Sequence, residues 1–280
     1  MSINKTISNQ FALTVSSFSL CALAIFFLTS CGSSDVTKVL TAEERFEAGK
    51  QHFAEEDYLE AIHEFEIVKL QYGGSAVADD AQFYLGECRL MREEYLLGIE
   101  EFQSLVRGMS ASVLVPAARY KIGLCYYLLS PRSTLDQQYT LHAIDEFQSF
   151  IEYYPADSLV GSADEKIREM NARLAQKDFE TAELYKTLEY PGASLYYFNS
   201  VLEKYHDSRF AEPALLGKIN VLIGKKQYND ARKEIGKFLE KYPRSESRGA
   251  VEGLRQEVET KLKEKSAMGA AGEQVGGARK

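Results

Sequence analysis

Along much of the chain, apolar residues return at intervals of three and four, the spacing that gathers side chains on one face of an α-helix. Ala42, Phe46, Gly49 and Phe53 form one such stripe. After a short polar break, Tyr58, Ala61, Ile62 and Phe65 form the next. Thr41 to Glu44 and Asp57 to Glu60 read as capping boxes, so the pattern predicts two amphipathic helices joined by a tight turn.

The pair is then copied along the chain. Gly49, Gly86 and Gly123 stand 37 residues apart, and Tyr58, Ile62 and Phe65 recur as Tyr95, Ile99 and Phe102 at the same interval. His206 and Pro243 repeat that spacing near the C-terminus. A fixed period of this size marks stacked helical hairpins rather than one compact core. A glycine on the first helix and a small residue on the second let two helices approach, and an aromatic four residues later fills the gap. Ala61-x3-Phe65, Gly98-x3-Phe102 and Ala143-x3-Phe147 follow that rule, with looser copies at Ser194-x3-Phe198 and Ala231-x3-Ile235. Similar turns close the units, such as Gln71-Tyr72-Gly73-Gly74-Ser75 and Lys241-Tyr242-Pro243-Arg244-Ser245. The pattern resembles the tetratricopeptide repeat. The expected fold is all-α, a tetratricopeptide-repeat helical-hairpin solenoid of about five repeats with a C-terminal capping helix.

The expected repeats cover about 41–75, 76–112, 113–158, 159–207 and 208–244, with a cap over 245–265 and a disordered Gly/Ala-rich tail over 266–280. Two departures break the period. Eight extra residues, Ser130 to Gln137, enlarge the turn of the third hairpin. The fourth unit is longer by 14, from Pro155 to His206, mostly in a helix spanning Ala163 to Tyr185.

Residues 1–30 read as a lipoprotein signal peptide. They hold one base, Lys5, and no acid, and the apolar run Phe18 to Leu28 is 11 residues, too short to cross a bilayer of about 20 residues. Leu28-Thr29-Ser30-Cys31 resembles the bacterial lipobox, which implies cleavage between Ser30 and Cys31 and acylation of the Cys31 thiol. Residues 31–40 then form a lipidated tether. Two or more acyl chains hold a protein stably on a membrane. Under the sorting rule of Gram-negative lipoproteins, Gly32 in place of aspartate after the cysteine implies the outer membrane, on its periplasmic face.

Without its signal the chain carries 32 Lys and Arg against 41 Asp and Glu, a balance that argues against nucleic acid as partner. All 17 Tyr and 11 of the 15 Phe lie after the signal, in a chain with no Trp, and supply rings for stacked helical cores. Cys88 and Cys125 each follow a repeat glycine by two residues and read as buried small hydrophobes. No catalytic motif emerges. His52, His63, His142 and His206 lack the i, i+4 pairing of a helical zinc site, and Gly224-Lys225-Lys226 lacks the Ser or Thr of a phosphate loop. No catalytic residue, cofactor or metal is expected.

The lipobox, the short tether, five tetratricopeptide units and the loop inside the third are joined by a distinctive run: Asp136-Gln137, Thr140, Ala143-Ile144, Phe147, Phe150-Ile151 and Tyr154-Pro155. Together they resemble the BamD (ComL-type) lipoproteins. That resemblance implies a non-enzymatic adaptor of the outer-membrane β-barrel assembly machinery. Its implied partners are the periplasmic domains of a BamA-like barrel protein and nascent outer-membrane β-barrel proteins. An alternative is a periplasmic tetratricopeptide lipoprotein coordinating cell-wall synthesis or Tol-dependent envelope constriction. The candidate peptide groove lies on the first helices, where Phe46, Phe83 and Tyr120 precede the glycines by three residues and Phe53, Leu90 and Tyr127 follow by four. Those pairs share a helix face, as a binding wall or as core.

If Cys31 carries the lipid, Cys31→Ser yields a soluble or signal-retaining periplasmic species, checked by membrane fractionation in cells lacking partner subunits. Unchanged outer-membrane fractionation would remove the anchor from Cys31.

Overall fold

The computed structural model describes residues 39–277, with side chains described as far as Ala267. The signal segment and Cys31 lie outside the described residues. Among the described residues all regular structure is helical: α1 (Ala42–Ala54), α2 (Tyr58–Gln71), α3 (Ala78–Met91), α4 (Tyr95–Gly108), α5 (Val115–Leu129), α6 (Gln138–Tyr153), α7 (Val160–Thr187), α8 (Pro191–Lys204), α9 (Ala211–Gly224), α10 (Tyr228–Lys241) and α11 (Arg248–Gly277). Each helix packs on the next in sequence, giving five hairpins and a terminal helix against α10. The terminal helix runs past Lys265 into the segment expected to be disordered.

Glycine sets the helix spacing as the pattern implies. A Cβ at Gly49 would come within 2.6 Å of the Phe65 ring, at Gly86 within 2.5 Å of Phe102, and at Gly123 within 2.9 Å of Phe147. Those rings are fully buried. The fourth and fifth hairpins solve the problem differently: Ala182 and Ile219 stand nine residues before their second helices, where Gly49 and Gly86 stand in the first two. Phe198 of α8 packs instead on Gly217 of α9, across the hairpin boundary.

Four of the five hairpin turns share one geometry. Glu56, Glu93, Glu189 and Lys226 adopt left-handed φ values of 62°, 60°, 61° and 58°. The next residue's N–H bonds back to the first helix, Asp57 to His52 O and Glu94 to Arg89 O, both at 2.9 Å. This is a Schellman closure with Glu or Lys where glycine is usual. Asp57 makes no side-chain cap of α2, so the expected capping box is absent there. One residue closes α1 and opens α2, and its backbone is already committed. Pro191 fits the same turn because it is the first residue of α8, where a missing N–H costs nothing.

A second repeated contact locks the hairpins. Glu64, Glu101 and Glu234 sit six residues after Tyr58, Tyr95 and Tyr228. They meet Arg45 at 2.8 Å, Gln82 at 2.6 Å and Lys218 at 3.2 Å on the preceding helix. Burial raises the Glu234 carboxyl, but hydrogen bonds from Lys237 and Lys218 outweigh it and hold it below the usual carboxylate range. In the fourth hairpin Tyr197 takes this position and stacks on Tyr185, rings 5.7 Å apart at 10°.

Helix α7 has 28 residues against 13 to 16 in the earlier helices. Its first half, with Ala163, Met170 and Leu174, packs on Phe147 and Phe150 of α6. Its second half, with Phe179 and Ala182, packs on Phe198 of α8. The last two hairpins are therefore stepped along α7 by roughly half its length, on the order of 20 Å at 1.5 Å per residue.

Gly86→Ala should force the Phe102 ring out of place and destabilise by about 1–3 kcal/mol. Glu93→Gly should relieve a left-handed residue and stabilise by about 0.5–1 kcal/mol. Urea denaturation midpoints of the two variants check both, and the opposite signs make the pair diagnostic.

Candidate functional site

Three of the six residues proposed for the groove are packed between helices. Phe46 is 7% exposed and lies 5.7 Å from the Phe65 ring, Leu90 is 9% exposed, and Tyr120 is 7% exposed against Phe147 and Phe150. Phe53, Phe83 and Tyr127 are half-buried. These three are the members of the set that keep surface open to solvent.

Tyr84 organises the rings of the first two hairpins. Its ring lies 5.3 Å from Phe53, 5.4 Å from Phe65, 5.8 Å from Phe46 and 6.4 Å from Phe83. Phe53 also meets Tyr58 edge-on at 5.5 Å. The Tyr84–Phe65 pair is stacked and the others are edge-to-face, the arrangements that suit the ring quadrupole. The result is one aromatic assembly that runs from the core to the surface at Phe53 and Phe83. Tyr84 carries no periodic signal, since 37 residues on either side stand Glu47 and Lys121.

Tyr120 and Tyr127 face α7. The Tyr120 hydroxyl pairs with Ser162 Oγ at 2.9 Å, and Tyr127 donates to Glu169 Oε2 at 2.6 Å. Lys166 Nζ lies 4.2 Å from the Tyr127 ring centroid. The hydrogen bond to Glu169, with burial adding to it, raises the Tyr127 phenol above its ordinary range. Tyr127 is thus anchored to a carboxylate and a cation, unlike the purely apolar Phe53.

The enlarged third turn and the lengthened α7 touch each other. Arg173 Nη1 donates to Ser130 O at 3.0 Å and Ser130 Oγ at 2.7 Å, and Lys177 Nζ donates to Leu135 O at 2.7 Å. Within the loop, Gln137 Nε2 donates to Arg132 O and Leu135 O, and Thr140 Oγ1 donates to Gln137 Oε1. Ser133 Oγ donates to Glu180 on α7 at 3.2 Å. Gln137 and Thr140 are buried, so their polar atoms are matched inside this network. Sequence spacing locates both insertions but not their contact.

Burial pushes the Cys88 and Cys125 thiols up to about 12, which leaves both protonated and poorly nucleophilic. Both are free and buried. Among the described residues no three His, Cys, Asp or Glu side chains converge as metal ligands, and no helix is long and apolar enough to cross a membrane.

A family model described as outer membrane lipoprotein, YfiO, matches residues 39–223, spanning the first four hairpins and nearly all of α9. The chain belongs to the YfiO family. Members of this BamD-like family are outer-membrane lipoproteins, and the hairpin solenoid is the fold found here. Among curated proteins none matches the YfiO-family chain in sequence. Solved structures similar to it include the TPR2AB-domain:pHSP90 complex of yeast Sti1, at 12% identity and TM-score 0.41, covering 81% of this chain and 86% of that one. Apo RapI is similar at 14% identity and TM-score 0.40, covering 89% and 93%. A tetratricopeptide-repeat protein from Thermus thermophilus is similar at 13% identity and TM-score 0.34, covering 79% and 99%.

In this YfiO-family chain, Arg173→Ala should release the 130–137 loop from α7. Trypsin should then cut after the exposed Arg132 several-fold faster, with a loss of about 1–2 kcal/mol in stability. Timed proteolysis followed by mass spectrometry reads the site, and an unchanged cut rate would mean that the loop holds itself in place.

Proposed function

We propose that this chain is a non-enzymatic adaptor of the outer-membrane β-barrel assembly machinery. Lipid on Cys31 holds it at the periplasmic face of the outer membrane. There it binds the periplasmic domains of a BamA-like barrel protein and helps recruit and insert nascent outer-membrane proteins. The family match over residues 39–223 carries this reading. The aromatic assembly supports it, because rings anchored in a core and half-open at Phe53 and Phe83 suit an extended peptide with aromatic side chains. Phe46 belongs to the core cluster behind Phe53 and Leu90 to the one behind Phe83, while Tyr127 extends the set to the third hairpin, over the cluster that holds Tyr120.

Phe53→Ser and Phe83→Ser should each weaken binding of a barrel protein's C-terminal strand peptide about tenfold, equivalent to ~1.4 kcal/mol. Their stability should fall by less than the roughly 3–5 kcal/mol expected for emptying a core ring such as Phe46. Peptide affinity and denaturation midpoints measured on the same proteins decide this. Large destabilisation with unchanged affinity of the folded fraction would assign both rings to packing. Pull-down of the lipidated chain from detergent-solubilised membranes tests the partner, and recovery of cell-wall synthesis proteins without a barrel protein would replace the assembly role.

A further inference from the structure

The turn after each second helix is built alike, but of its four serine hydroxyls two reach a carboxylate and two, Ser75 and Ser208, do not. Ser112, Asp157 and Ser245 each accept the N–H two residues on, at 3.1, 2.8 and 2.9 Å. Ser112 and Ser245 also donate their hydroxyls to a carboxylate 33 residues earlier, Asp79 at 2.6 Å and Glu212 at 2.5 Å. Ser208 occupies the same place: its N–H bonds to Tyr205 O and its carbonyl accepts from Ala211, both at 3.0 Å. The same count back from Ser208 lands on Ala175, buried in the middle of α7. The Ser208 hydroxyl is shielded from water and has no hydrogen-bond partner among the described residues. At Ser75 the residue 33 earlier is Ala42, which has no carboxylate to offer, whereas at Ser208 the step along α7 sets mid-helix rather than an acidic first turn against the loop.

Arginines line the cleft that Ser208 borders. A cleft of about 210 Å³ is lined by Arg168, Asn171, Ala172, Asp207, Ser208 and Arg209. It adjoins a second of about 320 Å³ that shares Ala172 and Arg209 and adds Glu169, Arg173 and Gln176. Arg173 is engaged by the 130–137 loop and by Glu169, which also receives the Tyr127 hydroxyl. Arg168 makes no ion pair or side-chain hydrogen bond among the described residues. Arg209 lies over the Phe210 ring, 4.9 Å from its centroid, a contact that orients a guanidinium without neutralising it. In a chain with 41 acids against 33 bases, two guanidiniums that share a cleft with Asp207 as the one unengaged acid are a local excess of positive charge.

We propose that this cleft binds a carboxylate presented by a partner peptide, gripped by Arg168 and Arg209 in the place that Asp79 and Glu212 fill at the equivalent turns. Guanidinium suits the role because its planar fork donates two parallel hydrogen bonds to a carboxylate. The small Ala172 side chain between the two clefts lets a peptide backbone cross. The site lies on α7 and the α8–α9 turn, apart from Phe53 and Phe83, so it stands whichever partner the aromatic surface receives.

The test uses the mature lipoprotein in detergent and fluorescence anisotropy with two labelled probes. One is a penta-glutamate peptide amidated at its C-terminus, and the other is a Gly-Ser peptide ending in a free carboxylate. At low salt at least one probe binds, and R168Q/R209Q weakens it about tenfold or more while the R168K/R209K pair loses less. Binding of the first alone assigns an acidic side chain, and of the second alone a chain terminus. Ala172→Glu supplies a carboxylate from within and should block either probe, which keeps the test open if the double variant folds poorly. Failure of both probes to bind the parent, or binding untouched by both R168Q/R209Q and Ala172→Glu, overturns the proposal.

Discussion

A phenylalanine ring pressed against a glycine holds each of the first three hairpins together, and the rest of the architecture follows from that contact. With no Cβ in the way, Phe65, Phe102 and Phe147 press on the backbone of the opposite helix and are fully buried. Burying each ring contributes roughly 1.5–3 kcal/mol, and its fixed position sets how closely and at what register the helices lie. The turns then have little choice. A left-handed Glu or Lys costs about 1–2 kcal/mol relative to a relaxed residue, a strain that persists because packing on both sides dictates where the chain must reverse.

The contact also shows where the solenoid changes its plan. After the third hairpin, Ala182 and Ile219 replace the glycine that faces the second helix of the same hairpin, the acid lock gives way in the fourth hairpin to the Tyr185–Tyr197 stack, and α7 doubles in length. The 130–137 loop rests on α7 through Arg173 and Lys177, so two insertions that interrupt the period separately in the chain form one structural feature. The same step strands Ser208 beside mid-helix and gathers Arg168 and Arg209 around it.

The surface is harder to read than the fold. Spacing by seven correctly puts Phe46 and Phe53 on one helix face, yet Phe46 is core while Phe53 reaches solvent. Tyr84 packs on both rings, but Phe46 also meets the fully buried Phe65, whereas the other ring against Phe53 is the half-buried Tyr58. A one-dimensional pattern records the face of a helix, whereas exposure depends on a neighbour contributed from another part of the chain.

The sequence by itself determined the helices, their pairing into five hairpins, the glycine and aromatic contacts within the first three, and the positions of both insertions. All of these are local: intervals of three and four define a face, and a 37-residue period defines the unit that is stacked. Only the tertiary structure decided that α7 serves two halves of the solenoid at different heights, that Phe198 uses the glycine of the following hairpin, and that the loop is held from α7. The physical reason is that packing between hairpins is selected by the shapes of two surfaces together. Neither surface carries that information alone.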